Sequence, residues 1–292
     1  NYIKGCFLSL YHKLTYHVLK SFGNILRSLS SKNRYIISQN IASILYNFIP
    51  KRKETAISNI RIAFPSKSSI EVNQILKDCY QFFTYNFIQF MAFPPKYDSL
   101  KIKVDGREIL NDALKNDKGV ILISAHFGVW EVLGHWFGVN DYPLRGVAQK
   151  QKNRGANKFF EEKRKLSGIS QVYRKTNIEI LYEVLHQKEI LGLVSDQDAK
   201  QKGVFVDFFN KPASTHKGAA LFHQRTNAPM IFGVCLQTQF NEYEIKITAI
   251  DSEENTVKNI TQNYTSALEI LIKKYPEQYF WFHKRWKTKE TN

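Results

Sequence analysis

The chain has 292 residues, 43% hydrophobic and 23% charged, which excludes a disordered chain and allows one large domain or two modest ones. A formal charge of +16, with a pI near 9.6, favours anionic partners: nucleic acid, an anionic membrane surface, a phosphorylated substrate or an acidic protein. Cys6, Cys79 and Cys235 are too scattered for a disulfide framework or a metal site, so a reducing compartment is expected.

The first expected element is a helix over residues 6 to 30. Phe7, Tyr11, Leu14, Val18, Phe22, Ile25 and Leu29 recur at steps of three and four, and Lys13, Lys20 and Arg27 flank that stripe. Such a helix suits a membrane surface, and it equally suits docking on a domain core. The chain opens on Asn1 rather than Met, which leaves room for an upstream segment; no cleavable signal peptide is visible. No run reaches the roughly 18 uninterrupted apolar residues of a spanning helix. A second helix is expected at 34 to 48, before the basic "KRK" at 51 to 53. A capping box, Ser68 and Glu71, starts a third, which ends before Pro94 and Pro95.

From residue 101 short apolar runs alternate with helical segments. The runs are "KIKV", "GVILISA", "LRGVAQ", "ILGLVS", "GVFVDFF", "PMIFGVCLQ" and "YEIKITAI". Alternation of this kind predicts an α/β domain: a central, mostly parallel mixed sheet with helices on both faces, its last two strands an antiparallel pair. The organisation expected is membrane-associating helices over 1–50 and the α/β domain over 51–292.

In open α/β sheets, sites form at the carboxyl ends of strands. His126 follows "GVILIS", and Glu131 stands in the first turn or two of the next helix. From there the carboxylate can swing back to the imidazole, fix its tautomer and stabilise the imidazolium formed when histidine takes a proton. That arrangement fits a general base acting on a hydroxyl or an amine. Spacing alone equally allows a histidine that caps the helix, with Glu131 near its positive end. No H-E-x-x-H, G-x-S-x-G, G-x-G-x-x-G or P-loop pattern occurs, so no metal, cofactor or nucleotide is expected.

Four blocks in order carry a resemblance: "NIRIAFPSKSSIE" (59–71), "SAHFGVWE" (124–131), "VSDQDAKQKGVFVDFFNKPASTHKGAALFHQRTNAPMI" (194–231) and "YPEQYFWFHKRWKTK" (275–289). Together they resemble the bacterial lipid A late acyltransferases, of the H-x4-[DE] glycerolipid acyltransferase type. The resemblance implies His126 as general base, Glu131 as its partner and Arg164 as a further catalytic residue. It implies that Asp196 and Asp198 shape the cleft and that Phe127 and Trp130, with Trp136 and Phe137, line an acyl groove. It implies an acyl carrier protein, or acyl-coenzyme A, as donor, met by a basic patch including Arg285, Lys287, Lys289 and "KRK". A membrane lipid would be the acceptor, on the cytoplasmic face of the inner membrane beside its anionic surface, with no nucleic acid involved. An aminolipid or phosphatidylinositol mannoside acceptor, or a non-catalytic lipid-binding relative, are the alternatives. Two departures stand out: Asn210 where the family has glycine, and "GVAQKQKN" where it has "YRPxxNP".

Overall fold

The computed structural model describes residues 2–93, 100–174, 176–251 and 254–290, with the side chains of residues 2–8 and 51 left aside. Phe7, Cys6, Lys51, Pro94 and Pro95 therefore lie outside the described side chains. Four helices come first: α1 (Tyr2–Ser28), α2 (Ser31–Phe48), α3 (Pro50–Ala63) and α4 (Ser69–Ala92). The capping box at α4 forms in both directions, Ser68 with Glu71. Helix α3 begins with proline at its first turn, where a missing N–H costs nothing.

The sheet then builds as β1 (Lys101–Asp105), α5 (Arg107–Leu114), β2 (Val120–Ser124), α6 (Trp130–Val139), β3 (Leu144–Ala148), α7 (Arg154–Leu166), β4 (Ser170–Tyr173), α8 (Ile178–His186) and β5 (Ile190–Val194). A hairpin, β6 (Val204–Asp207) and β7 (Pro212–Thr215), precedes α9 (Gly218–Thr226), β8 (Met230–Gln239), β9 (Glu242–Ala249) and α10 (Val257–Lys274). Seven strands form one sheet in the order β1-β9-β8-β2-β5-β3-β4, parallel except for the β8–β9 pair. This is the α/β class with the mostly parallel mixed sheet read from the sequence.

Strand β2 is buried along its whole length, so both its faces need cover. Ile121 and Ile123 join an apolar cluster with Leu76 of α4, Leu185 of α8, Ile260 of α10 and Trp281. Val120 and Leu122 join another with Leu110 of α5 and Trp136 and Phe137 of α6. Helices thus cover both faces. The first cluster also takes in Ala42, Ala56 and Ile60, so the core runs on from α2 and α3 into the sheet.

Two expectations change. The run "GVFVDFF" is no strand of the main sheet; it forms β6 of the separate hairpin, packed on α10, where Gln262 and Glu269 accept from the N–H groups of Asp207 and Phe209. The hairpin turns on Phe209 and Asn210, both at positive φ, the pairing of a type I′ turn. Asparagine tolerates that conformation better than most residues, so Asn210 serves where glycine is usual. The second change is β4, "SQVY", a four-residue edge strand with a polar start that hydrophobic runs do not reveal.

Among the described residues no helix is long and apolar enough to cross a membrane. Helix α1 docks through one face and leaves another uncovered. Tyr16, Gly23 and Leu26 are buried, while Leu10, Tyr11, Leu14, Val18 and Ile25 are 57–63% exposed. The docked face lies on α7 and α4, where a Cβ at Gly155 would stand 1.8 Å from the carbonyl oxygen of His12. The stripe read from the sequence is therefore not the face that packs.

Candidate active site

Strands β2 and β5 are neighbours, in register from Val120 with Ile190 to Ser124 with Val194. Their carboxyl ends are pinned by a bond from Ser195 N–H to the Ser124 carbonyl, 3.0 Å. His126 and Asp196 consequently emerge side by side although 70 residues separate them. The turn after β2 needs Gly128: its φ is +65°, and a Cβ there would lie 2.0 Å from the Cys235 carbonyl oxygen.

One Asp196 oxygen accepts both from the His126 backbone N–H, at 3.0 Å, and from Nδ1, at 2.9 Å. A carboxylate acceptor assigns the proton to Nδ1 and leaves Nε2 as the ring's basic nitrogen. Asp196 is buried, whereas the His126 side chain is 32% exposed. Burial alone would hold His126 below the ordinary imidazole value; the neighbouring carboxylate outweighs it and sets the net direction upward. Burial likewise works to raise Asp196, but the His126 charge, the two hydrogen bonds and the charge of Arg285 carry it below the usual carboxylate range.

Glu131 does not make the contact expected of it. It stands in the first turn of α6 facing Arg164, which comes from the last turn of α7; Nη2 to Oε1 is 2.9 Å. Arg164 also donates to Gln171 Oε1 at 3.3 Å. The reason is positional: β5 delivers Asp196 directly beneath the imidazole, and α7 brings a guanidinium to the carboxylate on α6.

These groups open on one cleft of about 570 Å³, lined by His126, Trp130, Glu131 and Arg164. The Trp130 ring meets His126 nearly edge-on, centroids 5.5 Å apart. Along the sheet the cleft is floored by a cross-strand row, Leu122, Gly192, Gly146 and Gln171, in register on β2, β5, β3 and β4. A Cβ on Gly146 would meet nothing nearer than 4.0 Å, so the sheet surface is open there, whereas at Gly192 the Leu144 side chain lies 3.1 Å from where a Cβ would stand. Polar lining comes from Gln149, Gln197, Arg174 and His216, which sequence reasoning missed; strand-end position was the one signal for the glutamines. Burial, with Arg174 nearby, pushes His216 down to about 4, so it is neutral near pH 7.

Other expected site residues lie elsewhere. Phe127, in the turn before α6, is buried in one apolar cluster, and Trp136 and Phe137 of α6 are buried in the cluster on the opposite face of the sheet, so all three pack the core rather than the cleft. Asp198 turns from the cleft: its N–H donates to His283 Nε2 and its carboxylate accepts from Thr288. Arg285 is 2% exposed, with Nη1 and Nη2 donating to the Ser214 carbonyl and Thr215 Oγ1, so it forms no part of a surface patch. Among the described residues no cluster of three or more potential ligands could hold a metal ion.

The family model for bacterial lipid A biosynthesis acyltransferases matches residues 7–288, nearly the whole chain. The chain belongs to that family. Among curated relatives, the lipid A biosynthesis palmitoleoyltransferase of Escherichia coli (strain K12) is 22% identical over 260 residues, 87% of this chain and 84% of the relative. The lipid A biosynthesis lauroyltransferase of the same strain is 21% identical over 277 residues, 87% and 85%. A phosphatidylinositol mannoside acyltransferase of Mycolicibacterium smegmatis is 25% identical over 179 residues, 60% and 59%. Acyl transfer is common to these named relatives of a lipid A acyltransferase-family chain; the acceptor in the name differs.

The closing signature of the family acquires a structural reading here. Gly128 N–H donates to the Gln278 carbonyl and Phe280 N–H to the His126 carbonyl, at 2.8 and 2.9 Å. The buried Gln278 side chain bonds both backbone groups of Gln237, and Asn59 caps the carbonyls of Trp281 and His283. Residues 276–285 are thus a clamp around the histidine turn.

Proposed function

We propose that the protein transfers a fatty acyl chain from an acyl thioester to a hydroxyl of a lipid A-type saccharolipid. Nε2 of His126 takes the hydroxyl proton as the oxygen attacks the thioester carbonyl, and Asp196 balances the imidazolium that results. The observation that carries this reading is the His126–Asp196 pair, with His126 in the wall of a cleft that combines apolar and polar side chains. Charge develops on the carbonyl oxygen during attack. The N–H groups of Gly128 and Val129 are already bonded to Gln278 and Cys235, so the donor comes from the side chains of the cleft, of which Arg164 is the cation held beside Glu131. A well-placed donor of this kind is worth about 3 kcal/mol. As the tetrahedral intermediate collapses, the imidazolium returns its proton to the departing thiolate. The part of the cleft over Gly146 receives the acyl chain.

The uncovered stripe of α1, with Lys13, Lys20 and Arg27 beside it, supports adsorption to an anionic membrane surface, and family membership supports the cytoplasmic face of the inner membrane. A charge of +16 supports an acidic carrier protein as donor, with the exposed Lys287 and Lys289 in the contact.

The test is transfer by purified wild type and His126→Ala from acyl carrier protein and acyl-coenzyme A donors to lipid A-precursor and mannoside acceptors, read by mass spectrometry. Loss of product in a folded His126→Ala variant is expected. Turnover equal to wild type in that variant would remove the general-base role, and exclusive use of the mannoside would move the acceptor.

A further inference from the structure

Arg285 is among the most deeply buried side chains of the chain, and the acyl-transfer chemistry gives it no task. Its guanidinium stacks over the Phe208 ring at 5.1 Å, and two of its nitrogens are bonded to Ser214 and Thr215. Its third nitrogen, Nε, has no partner among the described residues, nor has the buried Ser124 Oγ. Both residues wall one small enclosed cavity together with Asp196. Its volume is about 10 Å³, and the two side chains share its walls with Asp196 and with Phe208, Phe232 and Leu268.

A buried guanidinium that lines the same cavity as a buried carboxylate has a clear electrostatic effect. An isolated carboxylate in such a place would take up a proton rather than stay charged. The cation favours the charged form, and Asp196 feels it in that direction. We propose that Arg285, across this cavity, is the positioning residue that keeps Asp196 a carboxylate and so holds His126 in the tautomer that accepts a proton at Nε2.

The pair titrates among several neighbours. His283 of the clamp and His216 before α9 feel Asp196, Asp198 and Arg285, and His283 also feels His126. Tyr279 feels Asp196 and Arg285, and Tyr264 of α10 feels Arg285. Burial holds both histidines below the ordinary imidazole value, in the opposite direction to His126.

The inference rests on the acyl-transfer reading, but one of its tests does not need turnover. Removing the cation lets Asp196 take up a proton, and a neutral carboxyl no longer stabilises the imidazolium. In Arg285→Gln the His126 ring, followed by NMR, should titrate lower by about one pH unit. The acid limb of the rate profile should move down with it, and the maximal rate should fall. The second measurement is a cycle with Asp196→Asn. The double variant Asp196→Asn/Arg285→Gln should fold and transfer as fast as Asp196→Asn alone, since Arg285 then has no carboxylate to act on. An unmoved His126 titration in folded Arg285→Gln overturns the proposal. So does a double variant that is slower than Asp196→Asn, or that fails to fold where Asp196→Asn folds, because Arg285 would then serve the fold or the substrate directly. A wild type that turns over no acyl thioester would sink the acyl-transfer reading and leave the ring titration to decide this one.

Discussion

At the residue scale, the acidic side chain beneath His126 and the one in the cleft do different work. Asp196 shares one oxygen between the backbone and the ring of His126, whereas Glu131 restrains Arg164. Asp196→Asn removes the charge that stabilises imidazolium and presents either a donor or a weaker acceptor to Nδ1. Its kcat should fall by roughly 10²- to 10⁴-fold. Glu131→Gln should fall less, because Arg164 keeps its charge and its bond to Gln171. Steady-state rates of the two folded variants decide the order, and a larger loss in Glu131→Gln would return the partner role to Glu131. The sequence made His126 legible, since a histidine at the end of a buried strand stands out. It could not make Asp196 legible as the residue under the ring. That depends on β2 lying next to β5, and a spacing of 70 residues carries no trace of strand order. Arg285 was read as a surface cation for the opposite reason: its neighbours Lys284 and Lys287 are exposed, and only the burial of the turn between them sets it apart.

At the element scale, α1 has two apolar faces with different roles. The docked face packs on α7, with the Tyr16 hydroxyl bonded to Glu162, and α7 carries Arg164 into the cleft two residues later. The exposed face is the one with the regular stripe. Substituting Leu14, Val18 and Ile25 by Ser should therefore leave the melting temperature nearly unchanged and lower co-sedimentation with anionic liposomes. Deleting residues 1–30 should lower both the melting temperature and the rate, because it strips cover from α7 and α4. Wild-type liposome binding by the triple variant would assign adsorption to some other surface. Periodicity revealed the stripe but not its destination, because a core-facing helix and a surface-seeking one show the same repeat. The hairpin β6–β7 was misplaced on similar grounds. An apolar run fits any sheet, and the positive φ at Phe209 and Asn210 that folds it on itself is not written in hydrophobicity.

At the scale of the whole molecule, charge and protons give two further expectations. With Arg285 buried, the basic surface left for an acidic carrier includes Arg52, Lys287 and Lys289, all exposed. Reversing these three charges should weaken apparent affinity for a carrier-bound donor by roughly tenfold or more, at up to about 1 kcal/mol each, and a short thioester analogue far less. Initial rates against donor concentration measure this; equal losses with both donors would place these residues at the thioester or the acceptor. Acid should also destabilise the fold. His135 and His216 are buried or partly buried, and burial holds both down to about 4. The unfolded chain takes up those protons near pH 6.5, the folded chain only near 4, so stability is lost as pH falls across that window. His126, raised by its carboxylate, works the other way, but among the histidines it opposes three, since His283 is held down as well. Urea midpoints between pH 7 and 4 should fall; a flat profile would mean that these histidines charge without penalty.

The clamp of residues 276–285 carries a consequence for the order of events in a newly made chain. The carbonyl of His126 and the N–H of Gly128 find their partners in residues 280 and 278, some 150 positions later. A nascent polypeptide can close the sheet around β2 only after β8 and β9 exist, and can fix the histidine turn only after the clamp has left the ribosome. Contacts so distant in sequence form late, because loop closure must precede them. Chemistry at the cleft is thereby tied to completed synthesis: a chain stopped at Lys274 has every residue that lines the cleft and lacks the two backbone bonds that the clamp makes to the histidine turn.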